Sequence, residues 1–71
     1  MRKNAILPKK IGKKIQKQRK EIGYTQEDLA YKIGVSRAYI GYIEQGRNAP
    51  SLEVLEKIAK HLKMSMSELF W

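Results

Sequence analysis

Apolar residues recur along the chain at the spacing of a helix surface, and short segments rich in glycine, proline or small polar residues separate the runs. The first run predicts a helix that begins at Pro8, a residue suited to a first helical turn, and continues to about Ile22. Ile11 and Ile15 lie on its apolar side together with Ile22. No segment alternates like a strand, so the pattern predicts an all-α protein of five helices.

Two short predicted helices follow, joined by a tight turn. Thr25 and Asp28 have the spacing of a capping box that begins the second helix, and Gly34 ends it. Ser36 caps the third helix, which ends near Gly46. Two short helices around a glycine-containing turn are typical of a helix-turn-helix. The predicted inward residues of this pair are Leu29, Ala30, Ile33, Ile40 and Ile43.

The rest of the chain predicts two more helices. Ser51 caps the fourth helix, and Ser65 with Glu68 forms a second capping box before the fifth. We therefore expect residues 8–71 to form one domain and residues 1–7 to form a flexible basic arm. The predicted inward residues are Leu52, Leu55, Ile58, Ala59 and Leu62 in the fourth helix, and Leu69 and Phe70 in the fifth.

Composition narrows the functions that so small a domain can serve. The 71 residues hold no cysteine, which excludes a disulfide framework and a thiolate metal site. The formal net charge is +8, and residues 1–20 contain nine basic residues and no acid. Such a segment favours an anionic partner, either nucleic acid or a membrane surface, and a solubilising tail is the alternative. The lysines predicted opposite the apolar side of the first helix are Lys10, Lys13, Lys14, Lys17 and Lys20.

The segment TQEDLAYKIGVSRAYIGYIEQG, residues 25–46, resembles the helix-turn-helix of the Cro and lambda-repressor-like family, also called the xenobiotic-response-element family. The resemblance extends from about Ile11 to Phe70 and includes RNAPSLEVLEKIAKHL and SMSELF. It implies a five-helix lambda-repressor-like domain that binds a specific site in the major groove of double-stranded DNA. It also implies a transcriptional regulator, most simply a repressor or controller protein, bound as a homodimer to a two-fold symmetric operator in promoter DNA.

The family places its base contacts at the N-terminal end and on the outer face of the third helix. The matching residues here are Ser36, Arg37, Ala38, Gly41 and Tyr42. Arg37 is the first candidate, because a guanidinium can donate two hydrogen bonds to the O6 and N7 of guanine. Its alternative role is a phosphate contact without sequence preference. Gly41 falls on the exposed side, where a missing side chain would allow close approach to the groove.

The resemblance also implies contacts with the DNA backbone. Gln26 opens the second helix, where its amide and the free N–H groups of the first turn can bind a phosphate oxygen. Gly46, Arg47 and Asn48 follow the third helix and match the phosphate-contacting loop of the family. Arg47 is the strongest of these candidates because it carries a positive charge.

Two further groups of residues have predicted structural roles. Arg19 and Glu44 match a pair that members of the family often join in a salt bridge. Met64, Met66 and Trp71 exceed what the core of so small a domain needs. They form either a dimer surface or a cover over the end of the core.

Three classes of function compete for this sequence. A DNA-binding regulator is the first, and a protein-interaction module on the same scaffold, such as an antitoxin that holds a toxin, is the alternative. An enzyme is poorly supported, because His61 stands without a carboxylate pair, a nucleophile motif or a phosphate-binding loop. No cofactor, metal or small-molecule ligand is predicted. No apolar run has the length of a membrane span, so we expect no membrane partner and a cytoplasmic location. The resemblance implies a prokaryotic or phage protein associated with the nucleoid.

Overall fold

Five α-helices follow one another in the computed structural model, which describes residues 8–70. No part of this range is a strand, in agreement with the predicted fold class. The predicted arm, residues 1–7, and the predicted dimer residue Trp71 lie outside the described residues. The helices are α1 (Pro8–Ile22), α2 (Gln26–Ile33), α3 (Arg37–Glu44), α4 (Leu52–Leu62) and α5 (Met66–Phe70).

The predicted caps begin the helices where they were expected. Thr25 Oγ1 accepts from the N–H of Asp28 at 2.9 Å, and Asp28 Oδ2 accepts from the N–H of Thr25 at 2.8 Å. Ser65 and Glu68 exchange the same two hydrogen bonds at the start of α5. Ser36 accepts from the first turn of α3 through its side chain. These bonds satisfy N–H groups that a helix start leaves without an internal partner.

One apolar core joins all five helices, and its twelve buried members include most of the predicted inward residues. Leu52 contradicts its prediction, since 60% of its surface is exposed. Helical spacing gave the direction of the side chain, but at the first turn of α4 Leu52 borders an open apolar groove that leaves it uncovered. The core residues are Ile11, Ile15, Leu29, Ala30, Ile33, Ile40, Ile43, Leu55, Ile58, Ala59, Leu62 and Leu69.

The first helix packs against both α3 and α5. One of the lysines on its predicted solvent face is not fully exposed. Lys14 is half-buried and donates from Nζ to the carbonyl oxygen of Glu68 at 3.1 Å. The other lysines predicted on this face, Lys10, Lys13, Lys17 and Lys20, are exposed. At Gly12 the helix lies tightly against the end of α3, since an added Cβ would lie 2.6 Å from the carbonyl oxygen of Glu44.

Candidate nucleic-acid interface

The third helix has one buried side and one exposed side. Ile40 and Ile43 are almost fully buried against the core, whereas Arg37, Ala38 and Tyr42 are exposed. Of the other predicted base-reading residues, Ser36 is the N-cap and Gly41 is half-buried. The exposed side is thus a short helical surface that offers a guanidinium, a methyl group and a phenol.

The turn between α2 and α3 determines where the exposed side of α3 begins relative to the end of α2. Gly34 has φ 79°, in the left-handed region that glycine adopts without a steric penalty. Its N–H and that of Val35 both donate to the carbonyl oxygen of Ala30, at 2.9 and 3.0 Å. These two bonds close the end of α2, so that Ser36 can begin α3 two residues later.

A buried ion pair fastens the end of α3 to α1. Arg19 donates from Nε to Glu44 Oε2 at 2.6 Å and from Nη2 to Glu44 Oε1 at 3.1 Å. Its remaining nitrogen, Nη1, donates to the carbonyl oxygen of Tyr24 at 2.7 Å. Only 7% of the Arg19 side chain and 2% of the Glu44 side chain are exposed. The two charges therefore satisfy one another in a fork geometry where water does not screen them.

The amide of Gln26 lies between this ion pair and the exposed side of α3. Its Nε2 donates to Glu44 Oε1 at 3.0 Å, and its Oε1 accepts from Arg37 Nη1 at 3.5 Å. The amide also lies near Gly41. A Cβ added to Gly41 would lie 3.8 Å from both the nitrogen and the oxygen of the amide, which is van der Waals contact. The sequence pointed to Gln26 as a phosphate ligand and did not indicate these contacts with α3.

The loop after α3 brings a second positive charge beside the exposed side. Gly46 has φ 76° and donates its N–H to Ile43, while the N–H of Arg47 donates to the carbonyl oxygen of Tyr42 at 2.9 Å. This turn places the Arg47 guanidinium 5.3 Å from the centre of the Tyr42 ring, within cation–π range. Asn48 is exposed directly after it. A predicted phosphate ligand and a predicted base reader are thus in contact.

Two of the residues predicted for a dimer surface, Met64 and Met66, lie within the described range and outside α2 and α3. Met64 and Met66 are half-buried and pack against the core. Met64 also lines a shallow groove between α1 and α5, where its neighbours include Lys17 and Gln18. Leu52, which the sequence predicted to face the core, is exposed and borders a separate apolar groove with Pro8, Pro50 and Phe70.

Asp28 has a structural role at the start of α2. The N–H of Thr25 donates to the Asp28 carboxylate, and this hydrogen bond, more than the nearby charge of Lys32, lowers the pKa of Asp28 below 3.8. His61 is half-buried on α4. Within residues 8–70 no three acidic or histidine side chains come together as a metal site. None of the described helices has the length and apolarity needed to cross a membrane.

Comparison with known proteins gives consistent matches over most of the chain. A family model described as helix-turn-helix matches residues 15–69. YgzD, an HTH-type transcriptional regulator of Bacillus subtilis, is 40% identical over 58 residues, covering 82% of this chain and 88% of YgzD. SinR, an HTH-type transcriptional regulator of the same organism, is 40% identical over 60 residues, covering 83% of this chain but only 54% of SinR.

Solved structures of similar proteins share the helix arrangement. The restriction-modification controller protein C.AhdI from Aeromonas hydrophila has a TM-score of 0.84 and 35% identity, covering 89% of this chain and 96% of its own. The biofilm master regulator SinR, solved in complex with DNA, has a TM-score of 0.78 and 40% identity, covering 83% of this chain and 95% of that one. Both likenesses extend over nearly the whole described range.

Proposed function

Since the chain belongs to the helix-turn-helix family of DNA-binding transcriptional regulators, we propose that it is a repressor or controller protein. It acts by occupying promoter DNA in the cytoplasm, as a homodimer on a two-fold symmetric operator. The half-sites of such an operator lie about one helical turn, ~34 Å, apart. Its likeness to the controller protein C.AhdI and to the regulator SinR supports this assignment.

The observation that carries the proposal is the exposed side of α3. A buried opposite side and a buried ion pair hold the helix, while Arg37, Ala38 and Tyr42 project from it. In this proposal Arg37 reads a guanine, and Ala38 and Tyr42 contact neighbouring bases, with Ser36 and Gly41 at the same surface. Phosphate oxygens are bound on either side, by the start of α2 at Gln26 and by the loop Gly46, Arg47 and Asn48.

Selection of bound duplexes from random DNA tests the proposal directly. We expect an inverted repeat, with two chains per selected duplex in a sedimentation-equilibrium measurement. A single asymmetric half-site with one bound chain would contradict the homodimer. Recovery of no enriched sequence would contradict sequence-specific binding. A reporter promoter that overlaps the selected site should then be repressed when the protein is expressed, whereas activation would contradict the repressor assignment.

Two arginine variants separate base reading from phosphate binding. Arg37→Ala is expected to lower discrimination between the selected site and a base-substituted duplex by about 1–3 kcal/mol, the contribution of a bidentate guanine contact. Arg47→Ala is expected to weaken binding to both duplexes alike and to reduce the salt dependence of the affinity by about one phosphate contact. Both quantities are measured by fluorescence anisotropy in a salt series.

Lys60→Ala provides the control for loss of one positive charge, because Lys60 is exposed on α4 and not on α3. It should leave the discrimination between duplexes unchanged. A uniform loss of affinity for Arg37→Ala, without any change in discrimination, would show that Arg37 binds phosphate.

A further inference from the structure

Four exposed lysines lie along a single side of α1, and the proposed function does not use them. At about 100° per residue they fall within a sector of about 80° around the helix. The middle of this sector lies about 160° from Ile11 and Ile15, which are buried in the core. The surface, named the lysine face, consists of Lys10, Lys13, Lys17 and Lys20.

The charges of α1 are arranged against its own stability. Its first turn carries Lys9 and no acid, although the positive end of the helix dipole favours a carboxylate there. Lysines recur three and four residues apart along the helix, a spacing at which like charges repel one another. Glu21 is the acid of this helix, and within residues 8–70 the only ion pair joins Arg19 to Glu44. No carboxylate of this range therefore pairs with the lysine face.

The fourth helix balances its exposed lysines in a way that α1 does not. Lys57 and Lys60 are exposed on α4, and Glu53 and Glu56 stand four residues before them. A glutamate four residues before a lysine stabilises a helix. The unbalanced charge of α1 is thus a local feature that destabilises the free protein. A partner that supplies negative charge would offset this destabilisation.

The side chains of the lysine face indicate the chemistry of that partner. The face offers ammonium groups without an aromatic or apolar anchor, whereas interfaces between proteins are depleted in lysine and rely on such anchors. A helix on a membrane surface inserts its apolar side, and the apolar side of α1 is buried in the core. Repeated phosphates, by contrast, need only point charges. The face is about 15 Å long, which matches about four phosphate spacings of one DNA strand.

The lysine face also points away from α3. The side of α1 that meets the end of α3 carries Gly12, which lies against the carbonyl oxygen of Glu44, and Arg19, which forms the ion pair with that residue. The middle of the lysine face lies about 130° around the helix from this side. A duplex on the exposed side of α3 therefore leaves the lysine face uncovered.

We propose that the lysine face is a second DNA-binding surface, without sequence preference, which holds a second duplex while α3 occupies the first. One protein then joins two stretches of DNA. The inference goes beyond the proposed function and rests on it in one respect, since α3 must hold the first duplex. Binding at the lysine face itself does not depend on which bases α3 reads, and it weakens steeply with salt because it arises from counterion release.

Two double variants serve in the tests. Lys13→Gln/Lys17→Gln, the face variant, removes the two central charges of the lysine face. Both positions lie more than one turn from the start of α1, which packs against Gly46 of the loop proposed to bind the first duplex. Lys57→Gln/Lys60→Gln, the α4 control, removes the same amount of charge from another exposed surface.

Unfolding of the free protein tests whether the charge of α1 is unbalanced. At low ionic strength the face variant should melt about 4 °C above the wild type, because it removes several repulsive lysine pairs. The α4 control should melt at or below the wild-type temperature, because it removes two favourable pairs with glutamate. A face variant that melts at or below the wild-type temperature would overturn the proposal, since α1 would then have no charge for a partner to balance.

Capture of a second duplex tests the binding itself. The selected duplex is immobilised and saturated with protein, free protein is washed away, and a fluorescent duplex without the selected sequence is added in a salt series. The wild type and the α4 control should capture the fluorescent duplex equally. The face variant should occupy the immobilised duplex as fully as the wild type and capture the second one more weakly. Its logarithmic salt slope for capture should be smaller by about two phosphate contacts.

Three outcomes of this assay would overturn the proposal. Equal capture by the face variant and the wild type would show that these lysines bind no second duplex. Loss of the face variant from the immobilised duplex would place the lysines on the first duplex. If the wild type captures no duplex but cosediments with vesicles that contain phosphatidylserine, and the face variant does not, the lysine face binds a membrane surface.

Failure of the proposed function gives a different result. If no sequence is enriched from random DNA, the affinity for an arbitrary duplex is measured in solution by fluorescence anisotropy. A lower affinity of the face variant than of the α4 control would keep the lysine face as a DNA-binding surface while the proposed function fails. Equal affinities of the two variants would refute the lysine face as well.

Discussion

Gly12 is the position where the contact between α1 and α3 can be tested with a single methyl group. By helix propensity alone, alanine in place of Gly12 should stabilise α1, a helix whose six lysines are all exposed or half-buried. The structure predicts the opposite effect on the folded domain. An added Cβ would lie 2.6 Å from the carbonyl oxygen of Glu44 and 2.9 Å from its carbonyl carbon, and closer still to the carbonyl oxygen of Ile43.

The size of the effect follows from what those neighbours are. All three atoms are main-chain atoms, so no side-chain rotation relieves the overlap and α1 must move away from α3. Overpacking of a core costs typically about 1–3 kcal/mol, and the helix propensity of alanine returns about 1 kcal/mol. Because the same movement stretches the Arg19–Glu44 pair, we expect a net loss of about 2 kcal/mol. In a domain of this size that lowers Tm by about 8–16 °C.

Gly41→Ala is the matched control, since it is the same substitution in the helix on the other side of this contact. Its added Cβ would meet only the amide of Gln26, at 3.8 Å, which is ordinary contact. We expect stability to rise by up to about 1 kcal/mol. Thermal unfolding, monitored by circular dichroism, and urea unfolding should both rank Gly41→Ala as the most stable protein, the wild type next and Gly12→Ala as the least stable.

Either of two results would refute this reasoning. A Gly12→Ala protein that melts at or above the wild-type temperature would show that α1 and α3 do not meet as closely as described. Equal losses in Gly12→Ala and Gly41→Ala would show that the cost arises from alanine itself and not from the main chain opposite Gly12.

The remaining predictions concern charged groups. Glu44→Ala should lower the free energy of unfolding by about 3–5 kcal/mol, because it leaves the buried charge of Arg19 unpaired. Glu53→Ala, on the exposed side of α4, should change it by about 0.5 kcal/mol or less. Equal urea midpoints for the two variants would contradict this prediction. Because the hydrogen bond from the Thr25 N–H lowers the pKa of Asp28, its capping contribution is present above the ordinary aspartate pKa and is lost as the pH falls through the lower folded-state pKa. Asp28→Asn should therefore unfold at lower urea concentration than the wild type near neutral pH, with a difference that shrinks in acid, and a difference independent of pH would exclude the carboxylate as its cause.

The helices could be predicted because the signals that begin and end them are local. Thr25 and Asp28 cap each other across three residues, and Gly34 ends α2 through its own backbone conformation. The buried side of α3, with Ile40 and Ile43, followed from helical spacing alone. Leu52 shows the limit of this reasoning, because spacing gives the direction of a side chain but not the presence of a neighbour to cover it.

The sequence by itself determined the number and order of the described helices, most of their buried residues and the exposed side of α3, since all of these depend on neighbours within a turn or two. The Arg19–Glu44 pair was expected only from resemblance to a family. Tertiary structure alone decided that Gln26 donates a hydrogen bond to Glu44, 18 residues away, and accepts one from Arg37. It also decided that Gly12 lies against the end of α3. These contacts depend on how α1, α2 and α3 cross, and helix crossing is set by the packing of the whole core, which no local pattern encodes.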